Sequence, residues 1–159
     1  MGYYYIGQVC LNGHPITGNY DAYPEFRKNF CPDCGQPTIT ECPHCKSKIQ
    51  GSYFSPGVIS TKPFIPSAFC YNCGKAYPWT EEKLKAAKEL IAEDESLSIQ
   101  DKEILNQSLP DIISETPRTQ LAAARFKKIA SKALTITSEG LKQILIEIVS
   151  ETTKKMLWG

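Results

Sequence analysis

The sequence predicts small β zinc ribbons, holding two zinc sites, followed by an α-helical C-terminal region. Three observations predict this. Seven cysteines and one of the two histidines fall into four ligand pairs: Cys10 with His14 as C-x3-H, and Cys31–Cys34, Cys42–Cys45 and Cys70–Cys73 as C-x2-C. Eight soft or borderline donors are what two tetrahedral zinc ions require, and no cysteine is left over. Second, the aromatics are lopsided: of two Trp, eight Tyr and six Phe, only Phe126 and Trp158 follow Thr80. Third, the chain after Thr80 is rich in Lys, Glu, Ala, Leu and Ile, a helix-forming composition. The expected division is a double zinc-ribbon domain over 1–79 and an α-helical region over 80–159.

The elements follow in order. Tyr3 to Val9 reads as a strand that delivers Cys10. Residues 19–29 are a polar-aromatic excursion between the first two ligand pairs. Thr38-Ile39-Thr40 is β-branched and links the second and third pairs, and Ile49 to Phe54 reads as a strand. Ser55-Pro56-Gly57 is a turn signal, and Pro63 and Pro66 keep the next piece extended. Pro32 and Pro43 follow the first cysteine of their pairs. Gly35 and Gly74 follow the second, where the knuckle bends the backbone to positive φ. Thr80 is the expected N-cap of a first helix to about Glu93, with Glu81 and Glu82 in its first turn and Trp79 stapled onto Leu84. Asp94-Glu95-Ser96 breaks it. Ser98 with Asp101 starts a second helix that should end before Pro110. Thr116-Pro117 opens a third, to about Ala133. Thr137 or Ser138 caps a fourth that carries Leu141, Ile144, Leu145, Ile148, Val149, Thr152 and Met156 at helical spacing.

Three pairings of ligands onto two ions are open. The sequential one joins Cys10, His14, Cys31 and Cys34, then Cys42, Cys45, Cys70 and Cys73. A second joins the two central pairs. A third is cross-braced, as in RING-type domains. Loop closure favours the sequential one, because each site is then local. His44 sits between Cys42 and Cys45, where its side chain should point away from the metal; His14 is the expected eighth ligand.

The formal charge is +1. A four-cysteine zinc site carries net −2 and a three-cysteine, one-histidine site net −1, so the loaded chain is about two units negative. That opposes a dedicated duplex-DNA binder. The C-x2-C spacing suits metal better than structural disulfides. Gly2 to Val9 is no signal peptide, and a reducing, cytoplasmic compartment is expected. No apolar run is long enough to span a membrane.

Catalysis lacks parts. Each site closes with four protein ligands, no free thiol remains, and no H-E-x-x-H or phosphate-binding glycine loop occurs. Glu41 beside Cys42 is a candidate base, but a solvated loop carboxylate is the simpler reading. The chain is therefore not expected to be an enzyme. Binding is better served. Tyr3, Tyr4, Tyr5, Tyr53, Phe54 and Tyr71, with Arg27, Lys28, Lys46, Lys48 and Lys62, could engage nucleic acid. A small domain with few aliphatics should instead use such aromatics as core. In the third helix Arg125, Lys128 and Lys132 share one face, with Arg118 and Lys127 nearby and Leu121, Ala124 and Ile129 on the expected buried side. The last helix, apolar on more than one side over 141–149, calls for more than one neighbour, and Met156-Leu157-Trp158-Gly159 reads as an anchor.

Cys10-Leu11-Asn12-Gly13-His14, Phe30-Cys31-Pro32-Asp33-Cys34-Gly35, Thr38-Ile39-Thr40-Glu41-Cys42-Pro43-His44-Cys45 and Cys70-Tyr71-Asn72-Cys73-Gly74, running into Tyr77-Pro78-Trp79-Thr80, together resemble a bacterial family of uncharacterised double zinc-ribbon proteins. The resemblance covers residues 10–80. It implies a bacterial or phage cytoplasmic protein with the eight ligands named above, and it brings no activity with it. The expected function is a non-enzymatic zinc-binding adaptor that contacts a protein partner, or itself, through its C-terminal helices. A nucleic-acid-binding zinc-ribbon regulator is the alternative. A component of a bacterial defence system is a further one, suggested by the character of the family.

Overall fold

The computed structural model describes Met1–Gly159 and divides into two compact units, Met1–Glu81 and Glu82–Gly159. No helix is long and apolar enough to cross a membrane.

The first unit is built from two small sheets. Strand β1 (Tyr3–Ile6) and β2 (Gln8–Cys10) lie where one continuous strand is expected from sequence. They separate at Gly7, where the chain bonds Ile49 and the Phe64 ring leaves no room for a side chain. Gly7 donates to Ile49 O at 2.8 Å, and a Cβ on it would lie 2.7 Å from the Phe64 ring. β2 pairs antiparallel with β3 (Pro15–Thr17) and with β4 (Thr38–Ile39), giving the order β3-β2-β4. β1 pairs antiparallel with β5 (Gln50–Phe54) in a separate ribbon, with Tyr3 opposite Phe54 and Tyr4 opposite Tyr53.

Aromatic burial departs from expectation. Tyr77 and Trp79 are core, with rings stacked 4.5 Å apart. Tyr3, Tyr4 and Tyr53 are each about half exposed, and Tyr71 more so. Short ribbons cannot cover both of their faces, so these rings stay at the surface. Apart from the cysteines and that stacked pair, the buried apolar residues of this unit are Val9 and Ile49.

Helix α1 (Pro78–Glu93) begins two residues earlier than the composition switch suggests. Pro78 opens it, a position that needs no backbone donor. Thr80 is therefore not the cap. It is fully buried, and its hydroxyl donates to Ala68 O at 2.8 Å. Trp79, expected as a staple before the helix, is inside it and sends its indole N–H to Ser67 O.

The second unit is helical: the rest of α1, then α2 (Ile99–Ile113), α3 (Thr119–Ala130), α4 (Thr135–Leu145) and α5 (Glu151–Trp158). Ser98 caps α2 through Asp101 N, as the sequence indicates. The helix then runs through Pro110 instead of stopping before it. An interior proline costs about 3 kcal/mol. Leu109 and Ile112, on either side, are almost completely buried, and each returns roughly 1.5–3 kcal/mol. Burial wins.

α3 starts at Thr119 rather than Pro117. The Thr116 hydroxyl still accepts from Arg118 N, but Thr119 ties the turn to Asp111 O and Ser114 O. Its buried side is Ala122, Ala123, Phe126 and Ile129; Leu121 and Ala124 face solvent. α4 begins at Thr135, before the expected caps Thr137 and Ser138. Its first turn is capped from far along the chain, by Asp94 Oδ2 accepting from Leu134 N at 3.0 Å. The single last helix expected from apolar spacing is two helices. Ser150 caps α5 by accepting from Thr153 N. The break at 146–150 lets Ile148 and Val149, adjacent in sequence, both be buried with Leu141 and Leu145.

Candidate metal centres

Each C-x2-C pair sits on the same turn. The residue after the second cysteine donates back to the first cysteine's carbonyl: Gly35 to Cys31, Lys46 to Cys42 and Gly74 to Cys70, at 2.8–2.9 Å. The first cysteine's own N–H closes the turn on the next residue's carbonyl, Gln36, Ser47 and Lys75 respectively. The bend needs positive φ after the second cysteine. Gly35 and Gly74 supply it at 75°, and Lys46 adopts 65° without being glycine. Cys10 and His14 come from the end of β2 and the turn into β3, closed by Cys10 N to His14 O at 3.0 Å.

These turns bring the donors into two clusters. Cys10, His14, Cys31 and Cys34 form one; Cys42, Cys45, Cys70 and Cys73 form the other. Within each, all four ligand atoms lie within 4.8 Å of one another. This is the sequential pairing. Neither the central-pair nor the cross-braced arrangement occurs. All seven cysteines are free thiols.

The spacing tests whether a metal fits. A tetrahedral ion with sulfur at about 2.3 Å and nitrogen at about 2.05 Å sets S···S edges near about 3.8 Å and S···N edges near about 3.5 Å. Cys10 and Cys34 sulfurs are 3.7 Å apart, Cys42 and Cys73 3.8 Å, and Cys45 and Cys70 3.7 Å. His14 Nδ1 lies 3.4 Å from Cys10 Sγ and 3.6 Å from Cys31 Sγ. Both clusters have the dimensions of a four-coordinate centre, and Nδ1 is the histidine atom that faces the thiols.

The thiols differ in how readily they ionise. The Ser47 hydroxyl, then the Asn72 side chain, pull Cys45 down to about 5. The backbone N–H of Gln36 pulls Cys34 down to about 6. Burial pushes Cys10 up to about 11. Thiolate is the form that ligates a metal, so an ion held by either cluster would release protons on binding. Backbone amides help at two sulfurs: His14 N to Cys10 Sγ at 3.3 Å and Asn72 N to Cys70 Sγ at 3.4 Å.

Tyr77 and Trp79 brace this part of the chain. Trp79 packs on the Gly13 backbone beside the first cluster. Burial, then the neighbouring Cys70 sulfur, push the Tyr77 hydroxyl well above the ordinary phenol range.

His44 is exposed and belongs to neither cluster. Glu41, the candidate base, pairs with Lys48 at 3.3 Å on the surface. One supporting residue is not apparent from the ligand pattern. Gln8 is buried beside Cys10; its Nε2 donates to Lys28 O and Thr38 Oγ1, and its Oε1 accepts from Lys28 N. It fastens β2 to the segment that carries Cys31. A glutamine inside an otherwise apolar strand was the available signal.

No curated protein and no solved structure matches the chain. A family model described as an uncharacterized protein conserved in bacteria (DUF2321) matches residues 3–157, almost the whole length and both units. The chain belongs to that family.

Proposed function

We propose that the protein is a non-enzymatic adaptor. Two zinc ions hold its first unit as paired ribbons, and its helical unit contacts a protein partner or a second copy. The observation that carries this reading is closure: each cluster already has four protein donors, which leaves no position at which a substrate or an activated water would coordinate. Zinc suits the donors, since three cysteines with one histidine and four cysteines are both zinc sets. Seven unbridged thiols favour a reducing, cytoplasmic setting.

The contact surface moves from where the sequence suggests it. Leu141, Leu145, Ile148, Val149 and Leu157 are buried within their own unit, so that apolar row is core. An open face of that unit is the trough between α2 and α3, about 980 Å³.

Two measurements on full-length protein test the reading. Elemental analysis should find two zinc per chain, falling to one in Cys42→Ser with the Cys10 cluster still loaded; one ion in the wild type, or iron, refutes the zinc assignment. Cross-linking in a bacterial host should join residues of 82–159 to another polypeptide. Cross-links confined to 1–81 refute the helical contact.

A second reading has its own observation. Tyr3, Tyr4 and Tyr53 are exposed on the β1–β5 ribbon, where bases could stack. Salt-dependent retention on single-stranded nucleic acid, lost in Tyr4→Ala with Tyr53→Ala, would support it.

A further inference from the structure

Two helix faces meet in the trough at coiled-coil spacing. From α3 and its flanks come Arg118, Leu121, Arg125, Lys128 and Lys132, three and four residues apart. From α2 come Gln100, Ile104, Gln107 and Asp111, four and three apart. Each row is one stripe of a helix. A trough between two such stripes has the form that receives a third helix, ridge into groove.

The chemistry along it is ordered. Two apolar side chains open into it, Leu121, half exposed, from the α3 side and Ile104, half-buried, from the α2 side. The α3 side is cationic, and α3 carries no acid. Arg118, Arg125 and Lys128 make no ion pair; only Lys132 has a partner, Asp101 at 3.7 Å. The two carboxylates on the α2 side are already engaged, Asp101 with Lys132 and Asp111 with the Thr116 hydroxyl at 2.9 Å.

We propose that this trough docks an acidic amphipathic helix of a partner protein, with glutamates or aspartates facing the α3 cations and aliphatic side chains on Leu121 and Ile104. The proposal rests on the adaptor reading and names the partner's chemistry. Charge complementarity selects the occupant. Three unpaired cations along one wall call for anions, and Leu121 and Ile104 call for apolar side chains that a sugar-phosphate backbone lacks. No aromatic lines the trough for a base to stack on. The row from Arg118 to Lys132 is about 21 Å long, so the docked helix spans about 14 residues.

The test uses full-length, zinc-loaded protein and a labelled helical peptide of about 16 residues. The peptide carries glutamates along one edge of its apolar stripe and two leucines spaced to reach Leu121 and Ile104. A scrambled peptide of identical composition and a single-stranded oligothymidylate are the other probes. Fluorescence anisotropy should show saturable binding of the ordered peptide, at least tenfold tighter than the scrambled one and weakened by salt. Arg125→Glu with Lys128→Glu should reduce it tenfold or more, and Leu121→Asp likewise. These side chains are exposed, so circular dichroism and zinc content should not change. Equal affinity for the scrambled peptide, indifference to the substitutions, or no binding overturns the proposal. Tighter binding of the oligonucleotide, lost in the same variants, overturns it in favour of nucleic acid. A wild-type dimer by sedimentation that the variants dissociate overturns it in favour of a second copy. Helical-unit cross-links that survive Arg125→Glu with Lys128→Glu would leave the adaptor reading standing while refuting this site.

Discussion

The two units are about equally long and are held together by different physics. In Met1–Glu81 the buried apolar side chains are four cysteines, Val9, Ile49, Tyr77 and Trp79. In Glu82–Gly159 they are aliphatic or alanine apart from Phe126, spread over all five helices. Two aliphatics and one aromatic stack are too little apolar surface to offset the ordering of some eighty residues. The helical unit has an ordinary core and needs nothing added. The difference teaches that four of the donor cysteines are also core residues of the first unit, so that the affinity of any metal held there would count as folding free energy.

The widest break in that comparison is chelation. Stripping metal at neutral pH should unfold residues 1–81 and spare 82–159. Hydrogen exchange resolved by peptide would show protection lost across β1–β5 and kept in α2, α3 and α4. The metal-bound free energy of a structural zinc site, of the order of 10 kcal/mol, makes this the largest effect available. Cooperative loss of both halves would show that they are not independent.

The converse perturbation is a charge in the helical core. Ile148 is 5% exposed. Ile148→Lys should remove of the order of 4 kcal/mol, much of that unit's stability, while zinc stays at two per chain. Ile144 is only half-buried, so Ile144→Lys should cost clearly less. Thermal melts of the helical signal with parallel zinc analysis would read both. Zinc lost along with the helices in Ile148→Lys would again join the two halves.

Legibility in the sequence also differed between the units. The Cys/His clusters could be read because donor spacing is a local property; the C-x2-C turns, their glycines and the sequential pairing all follow from distances of a few residues and from loop length. The helices were legible as helices and illegible at their ends. Thr80, Pro110, Thr137 and Ser138 carry strong local signals, and each is overridden by a contact from elsewhere: Ala68 O for Thr80, the burial of Leu109 and Ile112 around Pro110, the Asp94 carboxylate at the start of α4, and Ala130 O for Ser138. Asp94 reads as a helix breaker from sequence. In the fold it is a buried cap for a helix forty residues on, and no window of sequence contains both partners. The exposed tyrosines of β1 and β5 eluded the reading because side-chain type gives preference for a core, whereas the size of the sheet decides whether there is one.

Asp94 supplies a smaller, pH-dependent contrast. Its Oδ1 accepts from the Ser96 N–H and hydroxyl and its Oδ2 from Leu134 N. Those bonds, those of Ser96 first and then the Thr137 hydroxyl, hold its carboxyl well below the ordinary value. A depressed folded-state pKa contributes stability that is present above the unfolded value of about 4 and is lost as pH falls below it. Asp94→Ala should lower the melting temperature of the helical unit by about 5–10 °C at pH 7 and leave zinc untouched. Below pH 4 the gap between variant and wild type should narrow, read on the helical residues because acid also releases metal from the thiolates. A gap that is constant with pH would mean that the carboxylate charge is not what caps α4.

The smallest effect lies inside the first unit, between turns that are otherwise alike. Three knuckles share one hydrogen-bond pattern, and two place glycine where φ is 75°. The third places Lys46 there, at φ 65°. A residue with a Cβ is disfavoured in that region by about 1–2 kcal/mol, while glycine enters it freely and loses somewhat more entropy on folding. Lys46→Gly should therefore gain a net of about 1 kcal/mol in the second cluster, seen as a few-fold tighter hold on one of the two ions in a competitive chelator titration. The reverse changes, Gly35→Lys and Gly74→Lys, should each loosen one ion by a similar factor. The lysine side chain is exposed and makes no ion pair, so its loss removes nothing that offsets the gain. If Lys46→Gly weakened the hold instead, the Lys46 charge would be stabilising the thiolates of its cluster, and the three knuckles would differ in electrostatics as well as in backbone strain.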